Sequence, residues 1–150
     1  MTHVVVRLGG GRFALPMDTV AEVGRMPGLT RVPGTPGWVA GVANWRGRIL
    51  GVLDLRILLG VADQVVRGDG TTRLVVLNRA PVSVGLIAER VEGVLVVDAE
   101  ALEPPLLTLP AEAGALLEGQ VTDSDGPVGV IDAGAVLAMR HRFGAVRRTG

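Results

Sequence analysis

Few side chains in this chain are of the types that carry covalent or acid–base chemistry. The histidines are His3 and His141, one near each end, and neither stands at a metal-ligand spacing such as HxxxH. Cysteine is absent, which excludes disulfides, thiolate nucleophiles and thiolate-bound metals. A hydrolase or transferase needs a nucleophile, a base and an orienting group within mutual reach, and no such cluster is offered. Gly9-Gly10-Gly11 could cradle a phosphate only ahead of a helix N-terminus, and the residues after it read as a strand, so a hairpin turn is expected. Asp123-Ser124-Asp125-Gly126 opens like a calcium loop, but Gly134 stands where the twelfth-position glutamate is required, which leaves a β-turn. Glu89 and Glu92, three apart, fall on opposite faces of a strand and are expected to be solvent or interface charges rather than an acid/base pair. Arg140, Arg142, Arg147 and Arg148 form a basic segment over residues 140–150 with no acid after Asp132, as suits a solvated helix end that complements the helix dipole. Neither catalysis, nor a cofactor, nor a metal is expected.

Composition narrows the class further. The 150 residues fit one domain or two tightly joined small ones, long enough to hold a core unaided. Apolar residues make up 48% and charged residues 20%, which suits a globular chain and argues against wholesale disorder. The aromatic residues are Phe13, Trp38, Trp45 and Phe143, so the core must be aliphatic and the tryptophans need a separate explanation. Formal charge balances to zero, which removes any general attraction to nucleic acid or anionic membrane. The N-terminal apolar run is too short for a signal-peptide core, and no stretch approaches the roughly 18–20 residues of a membrane span. A cytoplasmic location is expected.

The elements are short and β-rich, broken by Gly and Pro. Val4–Leu8 and Arg12–Pro16 read as a hairpin, Val20–Met26 as an extended segment, and 27–37 as an ordered loop. Trp38–Asn44 is expected to form a helical turn. Arg48–Leu53 reads as a buried strand, followed by a short helix capped by Asp54 and ended by Gly60. Residues 61–70 form a polar connection. Arg73–Leu77, Val82–Glu89 and Glu92–Val97 read as strands, Glu100–Ala115 as a long irregular segment, and Gln120–Asp123 with Val128–Ile131 as a hairpin. Asp132 then caps a C-terminal helix with Val136, Met139 and Phe143 at helical spacing.

An internal repeat orders these pieces. A shift of 71 places Val5 on Val76, Leu15 on Leu86, Asp18 on Glu89, Val20 on Val91 and Val23 on Val94. A shift of 78 places Gly41 on Gly119, Gly51 on Gly129, Val52 on Val130, Leu53 on Ile131, Asp54 on Asp132 and Leu59 on Leu137. The shared order implies a duplication: two small barrels, approximately residues 12–66 and 71–137, with strands exchanged near the boundary. Closure of each barrel would remove exposed sheet edges.

The densest run of unusual features lies in residues 20–56. It holds Val20-Ala21-Glu22-Val23, then Val32-Pro33-Gly34-Thr35-Pro36 and Gly41-Val42-Ala43-Asn44-Trp45-Arg46-Gly47, then Ile49-Leu50-Gly51-Val52-Leu53-Asp54-Leu55-Arg56. This resembles the CheW family, whose members carry a V-x-E-V/I strand, a P-rich G-V-x-N-x-R-G loop and an I-x-P-V-x-D-L-R step. Val84-Gly85-Leu86-Ile87-Ala88-Glu89-Arg90-Val91 is similar to the family's second-half V-G-x-x-V-D-x-V, and Leu102-Glu103-Pro104-Pro105 and Leu117-Glu118-Gly119 follow in order. The resemblance covers about residues 3–139.

The resemblance implies a mainly β fold of two intertwined five-stranded SH3-like barrels with short helices. It implies a non-catalytic adaptor that couples chemoreceptor cytoplasmic tips to the regulatory domain of a CheA-type histidine kinase, cytoplasmic and recruited to membrane receptor arrays. By motif position, Val20, Glu22, Gly41, Asn44, Trp45, Arg46 and Gly47 would form the receptor- and kinase-binding region. Arg46 would meet the receptor, Val20 and Glu22 would line the adjoining groove, and Gly41 would permit a close backbone turn behind them. An arginine, with five donors on a planar face, suits that role. A loop arginine capping local carbonyls, and a merely solvated Glu22, are the plainer readings of the same residues. Two departures stand out: Trp45 where the family usually has Leu, and Gly51 where it has Pro. Trp45 either enlarges the contact surface or is buried by local repacking, and Gly51 relaxes its strand. The fold also admits a kinase-regulatory-type, array-forming domain without receptor contact, and a small ligand-binding barrel or enzyme would need a polar pocket the chain does not suggest.

Overall fold

The computed structural model describes residues 1–61, 70–104 and 111–139. In β1 (Thr2–Leu8) the run Val4-Val5-Val6 is buried, and a turn at Gly9-Gly10 returns the chain as β2 (Gly11–Pro16). Pro16 ends that strand. A 3-10 turn at Met17–Thr19, closed by the Thr19 hydroxyl donating to the Pro16 carbonyl at 2.7 Å, carries the chain into a different sheet. There follow β3 (Val20–Arg25), β4 (Val39–Trp45), β5 (Arg48–Leu53) and the short helix α1 (Leu55–Leu58). The second half repeats the series: β6 (Arg73–Arg79), β7 (Val82–Ala88), β8 (Arg90–Val96), α2 (Ala111–Gly114), β9 (Leu117–Asp123), β10 (Gly126–Ile131) and α3 (Ala133–Ala138).

Two five-stranded sheets result, ordered β8-β1-β2-β10-β9 and β3-β6-β7-β5-β4, each an SH3-like barrel. Neither sheet follows the expected spans 12–66 and 71–137. The first hairpin joins β8, β9 and β10 of the second half, while β6 and β7 join β3, β4 and β5 of the first. The exchange thus involves whole hairpins rather than strands near a boundary. The joint is a short parallel pairing in each barrel, Gly129 with Phe13 and Val130 with Ala14 in one, Val52 with Gly85 and Leu53 with Leu86 in the other.

The register repeats position by position. Val5 faces Gly93 and Val6 faces Val91 across a bulge; 71 residues on, Val76 faces Glu22 and Leu77 faces Val20 across a matching irregularity. Gly41 pairs with Val52 as Gly119 pairs with Val130, again beside a bulge. Outside the strands, Thr30 bridges to Val42 and Glu103 to Gln120. A Cβ on Gly41 would strike the Thr30 carbonyl oxygen, and one on Gly119 would come within 2.8 Å of the Glu103 carbonyl oxygen. The Asp54 amide donates to Trp38 and the Asp132 amide to Leu116, both at 2.8 Å. Each aspartate then caps its helix, Asp54 through the Arg56 amide and Asp132 through the Ala135 amide, both at 3.1 Å.

Burial follows the interleaving. The largest cluster draws Val4, Val6, Leu15 and Ile131 from one sheet, Leu53, Val75, Leu77 and Leu86 from the other, and Leu55, Leu58, Val136 and Leu137 from the helices. Smaller clusters fill the barrels: Ala43, Leu50, Val52, Leu74 and Ile87 in one, Ala14, Val121, Val128 and Val130 in the other. At roughly 1.5–3 kcal/mol for each fully buried aliphatic side chain, the shared cluster binds the barrels into one unit.

Two local expectations fail. Glu100–Ala115, expected to be irregular, holds helix α2 at Ala111–Gly114. Trp38–Asn44, expected as a helical turn, runs from Val39 onward in strand β4. Pairing with β5 along its length satisfies the backbone better than an isolated turn of helix could, and the bulge at Gly41 breaks the alternation that would have marked it as a strand. Gly51 leaves β5 unbroken, paired with Val42.

Candidate partner-binding site

The β4–β5 hairpin turns through two residues, Arg46 at φ 51° and Gly47 at φ 78°, with Trp45 and Arg48 paired beside them. Successive positive φ values are those of the type I′ turn, whose twist matches paired strands. Gly47 adopts this freely. Arg46 is the single non-glycine residue with positive φ among the described residues. The Asn44 side-chain oxygen accepts from the Gly47 amide at 3.2 Å and steadies the turn.

The turn reaches across the barrel to β3, at the opposite end of the sheet order. The Arg46 Nε pairs with Glu22 Oε1 while its side chain stays 70% exposed. The Trp45 indole donates to Glu22 Oε2 at 2.9 Å. The Arg46 guanidinium carbon stands 5.5 Å from the Trp45 ring centroid, within cation–π range. Both Glu22 oxygens are therefore engaged. The indole N–H holds the Glu22 carboxyl below its usual range; desolvation opposes this, and the charges of Arg46 and Arg48 assist. The indole ring crosses Gly24, where an added Cβ would meet its Cη2 atom.

Glu22, Asn44, Trp45, Arg46 and Gly47 thus come together on one rim. Gly41 lies behind them on β4, buried, where its missing side chain lets the Thr30 backbone approach. Val20 is partly buried and packs against the shared core, so it is a support for β3 as much as a surface. The residues missed in the sequence are Gly24, Arg48 and Ile49. Gly24 stands two positions from Glu22, hence on the same strand face, which was the available sign that room existed beside it.

The remaining candidates are taken up by arginines. Arg12 grips Asp123 through two hydrogen bonds, at 2.8 and 2.9 Å, and the Asp125 amide donates to the same carboxylate at 2.9 Å. These contacts, Arg12 first, lower the Asp123 pKa to about 2. The segment is a turn held by an ion pair, and its carboxylate is not free for a cation. Glu92 pairs with Arg7, Arg12 and Arg90, and Glu89 with Arg56, so neither is placed as an acid or base. Arg56, 2% exposed, forms a two-pronged pair with fully buried Asp54 at 2.9 and 2.7 Å. His3 is buried, its Nδ1 3.2 Å from the Met1 carbonyl. His141, Phe143 and the basic segment 140–150 lie outside the described residues.

Comparison with known proteins agrees with this fold. The CheW-like domain model matches residues 2–141. The chain is 41% identical over 87 residues to protein PilI of Pseudomonas aeruginosa, covering 58% of this chain and 48% of that protein, so the match spans about half of that relative. It is 26% identical to the chemotaxis protein CheW of Bacillus subtilis over 95% of this chain and 90% of that protein. Among solved structures, the scaffolding protein TtCheW from Thermoanaerobacter tengcongensis superposes with a TM-score of 0.75 at 27% identity, covering 87% of this chain and 83% of that one. The chain belongs to the CheW-like domain family, the scaffold proteins of chemotaxis-type signalling, which are adaptors and not enzymes.

Proposed function

We propose that this protein couples the cytoplasmic tips of chemoreceptors to the regulatory domain of a CheA-type histidine kinase, and so is recruited to receptor arrays at the membrane. The observation that carries the proposal is Arg46. It occupies a left-handed position that disfavours a side chain, at a cost on the order of 1–3 kcal/mol, on the outermost residue of a hairpin. Glu22 and Trp45 orient it, while its terminal guanidinium nitrogens carry no hydrogen bond among the described residues. An exposed, pre-oriented arginine beside an aromatic is the composition of an interface anchor. Capping of local carbonyls, the plainer role for such an arginine, is not what the side chain does: its partner is a carboxylate on another strand. Each contact need only be modest, because an array gains avidity from many repeated ones.

Titration of the protein against the kinase regulatory domain and against a receptor cytoplasmic fragment tests the proposal. Arg46→Glu is expected to abolish binding to the receptor fragment and leave kinase binding intact. Unchanged receptor binding would remove Arg46 from the interface, and failure of the unaltered protein to bind either partner would sink the coupling role.

A further inference from the structure

Beside the rim lies a shallow groove of about 200 Å³ lined by Trp45, Arg48, Ile49, Leu50, Pro81 and Ser83. Its apolar edge is Ile49, 69% exposed as the second residue of β5 after the hairpin turn. Exposed isoleucine is common enough singly, but this one adjoins an indole and a proline and forms one wall of a concavity. The volume falls below the roughly 300–1,000 Å³ typical of small-molecule sites and matches the scale of a single inserted side chain.

The charges around it are one-sided. Arg48 is exposed and its side chain makes no hydrogen bond or ion pair among the described residues, and Arg46 has its terminal nitrogens open to solvent. The nearest carboxylate, Glu22, is already held by Trp45 and Arg46, and no acidic residue lines the groove. Trp45 is common to both features: its indole N–H holds Glu22, and the residue also lines the groove. Arg46 lies in the chain between two residues that line the groove, Trp45 and Arg48, so a partner that meets Arg46 stands beside it.

We infer that the Trp45–Ile49 groove is a second anchor point of the receptor interface, which takes one large apolar side chain from a helical segment whose flanking carboxylates meet Arg46 and Arg48. The inference rests on the receptor-coupling proposal and adds to it the chemistry of the segment that is read. It also gives Trp45 a function of its own: where a leucine would leave the groove without a wall, the indole supplies one and so selects partners by the size of the inserted side chain.

The test uses the full chain carrying Ile49→Asp or Ile49→Arg, titrated with the receptor cytoplasmic fragment and separately with the kinase regulatory domain. Both substitutions are at an exposed site and leave the core untouched, which a thermal unfolding midpoint near that of the unaltered protein verifies. Ile49→Asp is expected to weaken receptor binding at least tenfold, because it removes the apolar wall and sets a carboxylate against an acidic segment. Ile49→Arg is expected to weaken it less, since its charge is favourable. Kinase binding should be unchanged in both. Equal affinity of Ile49→Asp and the unaltered protein for the receptor fragment would overturn the inference, as would a loss confined to the kinase, which would assign the groove to that partner. Arg46→Glu in the same assay separates the two readings. If it abolishes receptor binding while Ile49→Asp does not, the coupling role stands and the groove falls.

Discussion

Gly24 and Trp45 share one volume: the indole of Trp45 lies where a side chain on residue 24 would begin, and from there it reaches the carboxylate of Glu22. Strands β3 and β4 stand at opposite ends of their sheet, so this contact helps close the barrel without a ladder of hydrogen bonds between them. Gly24→Leu should displace the ring into solvent and release Glu22. Overpacking of this kind costs about 1–3 kcal/mol. The double substitution Gly24→Leu with Trp45→Leu should be more stable than the sum of the single changes by about 0.5–3 kcal/mol, the range of coupling between touching residues. Urea unfolding of the four proteins measures that coupling, and strict additivity would show that the two residues are independent.

Arg46 separates the cost of a conformation from the value of a side chain. Arg46→Gly relieves a left-handed residue, worth about 1–3 kcal/mol, and gives up an exposed ion pair worth about 0–1 kcal/mol. Stability should therefore hold or rise slightly. Binding to the receptor fragment should nevertheless be lost. A protein that unfolds more readily after Arg46→Gly would show that the arginine serves the fold, and the interface argument would weaken accordingly.

The two halves use their helix caps unequally. Asp54 caps α1 and also neutralises buried Arg56, whereas at the matching place after Asp132 stands Gly134, with an Arg79 nitrogen 3.2 Å from where its Cβ would be. Asp54→Ala leaves a buried guanidinium without its main partner and should cost about 3–5 kcal/mol. Asp132→Ala removes chiefly a cap, about 1 kcal/mol. Adding Arg56→Met to Asp54→Ala should recover part of the loss. Chemical denaturation with unchanged slopes would measure each difference, and equal losses at Asp54 and Asp132 would contradict the asymmetry.

Much of this was legible in the residues, for local reasons. Hairpins announced themselves through alternation and glycine turns, and both capping aspartates through the apolar periodicity after them. The duplication was visible because Gly41 and Gly119 are bound by the same backbone approach, to Thr30 and Glu103. What escaped was everything set by pairing at a distance. A shift of 71 or 78 residues aligns the halves but does not say which half each hairpin joins. The bulge at Gly41 concealed β4, and only the closure of the barrel brings Gly24 under Trp45. The rim residues Glu22, Trp45 and Arg46 were found by motif, but their mutual contacts depend on that same closure.

Acid sensitivity should concentrate in the other barrel, at the pair Arg12–Asp123. The Asp123 carboxyl titrates near about 2 when folded against an ordinary 3.8, chiefly because Arg12 donates two hydrogen bonds to it. Between those values the unfolded chain binds more protons than the folded one, so stability rises with pH. The contribution of the pair is present in full above the unfolded value and is lost as the pH falls towards about 2. Glu22, lowered by its Trp45 hydrogen bond, adds a change of the same sign. Asp123→Asn should flatten the fall in the urea midpoint across this acid range while it leaves the midpoint near neutrality only modestly reduced, since the pair is partly solvent-exposed. Arg12→Gln should flatten it in the same way. If either variant kept the full slope, the acid response would have to come from another carboxylate.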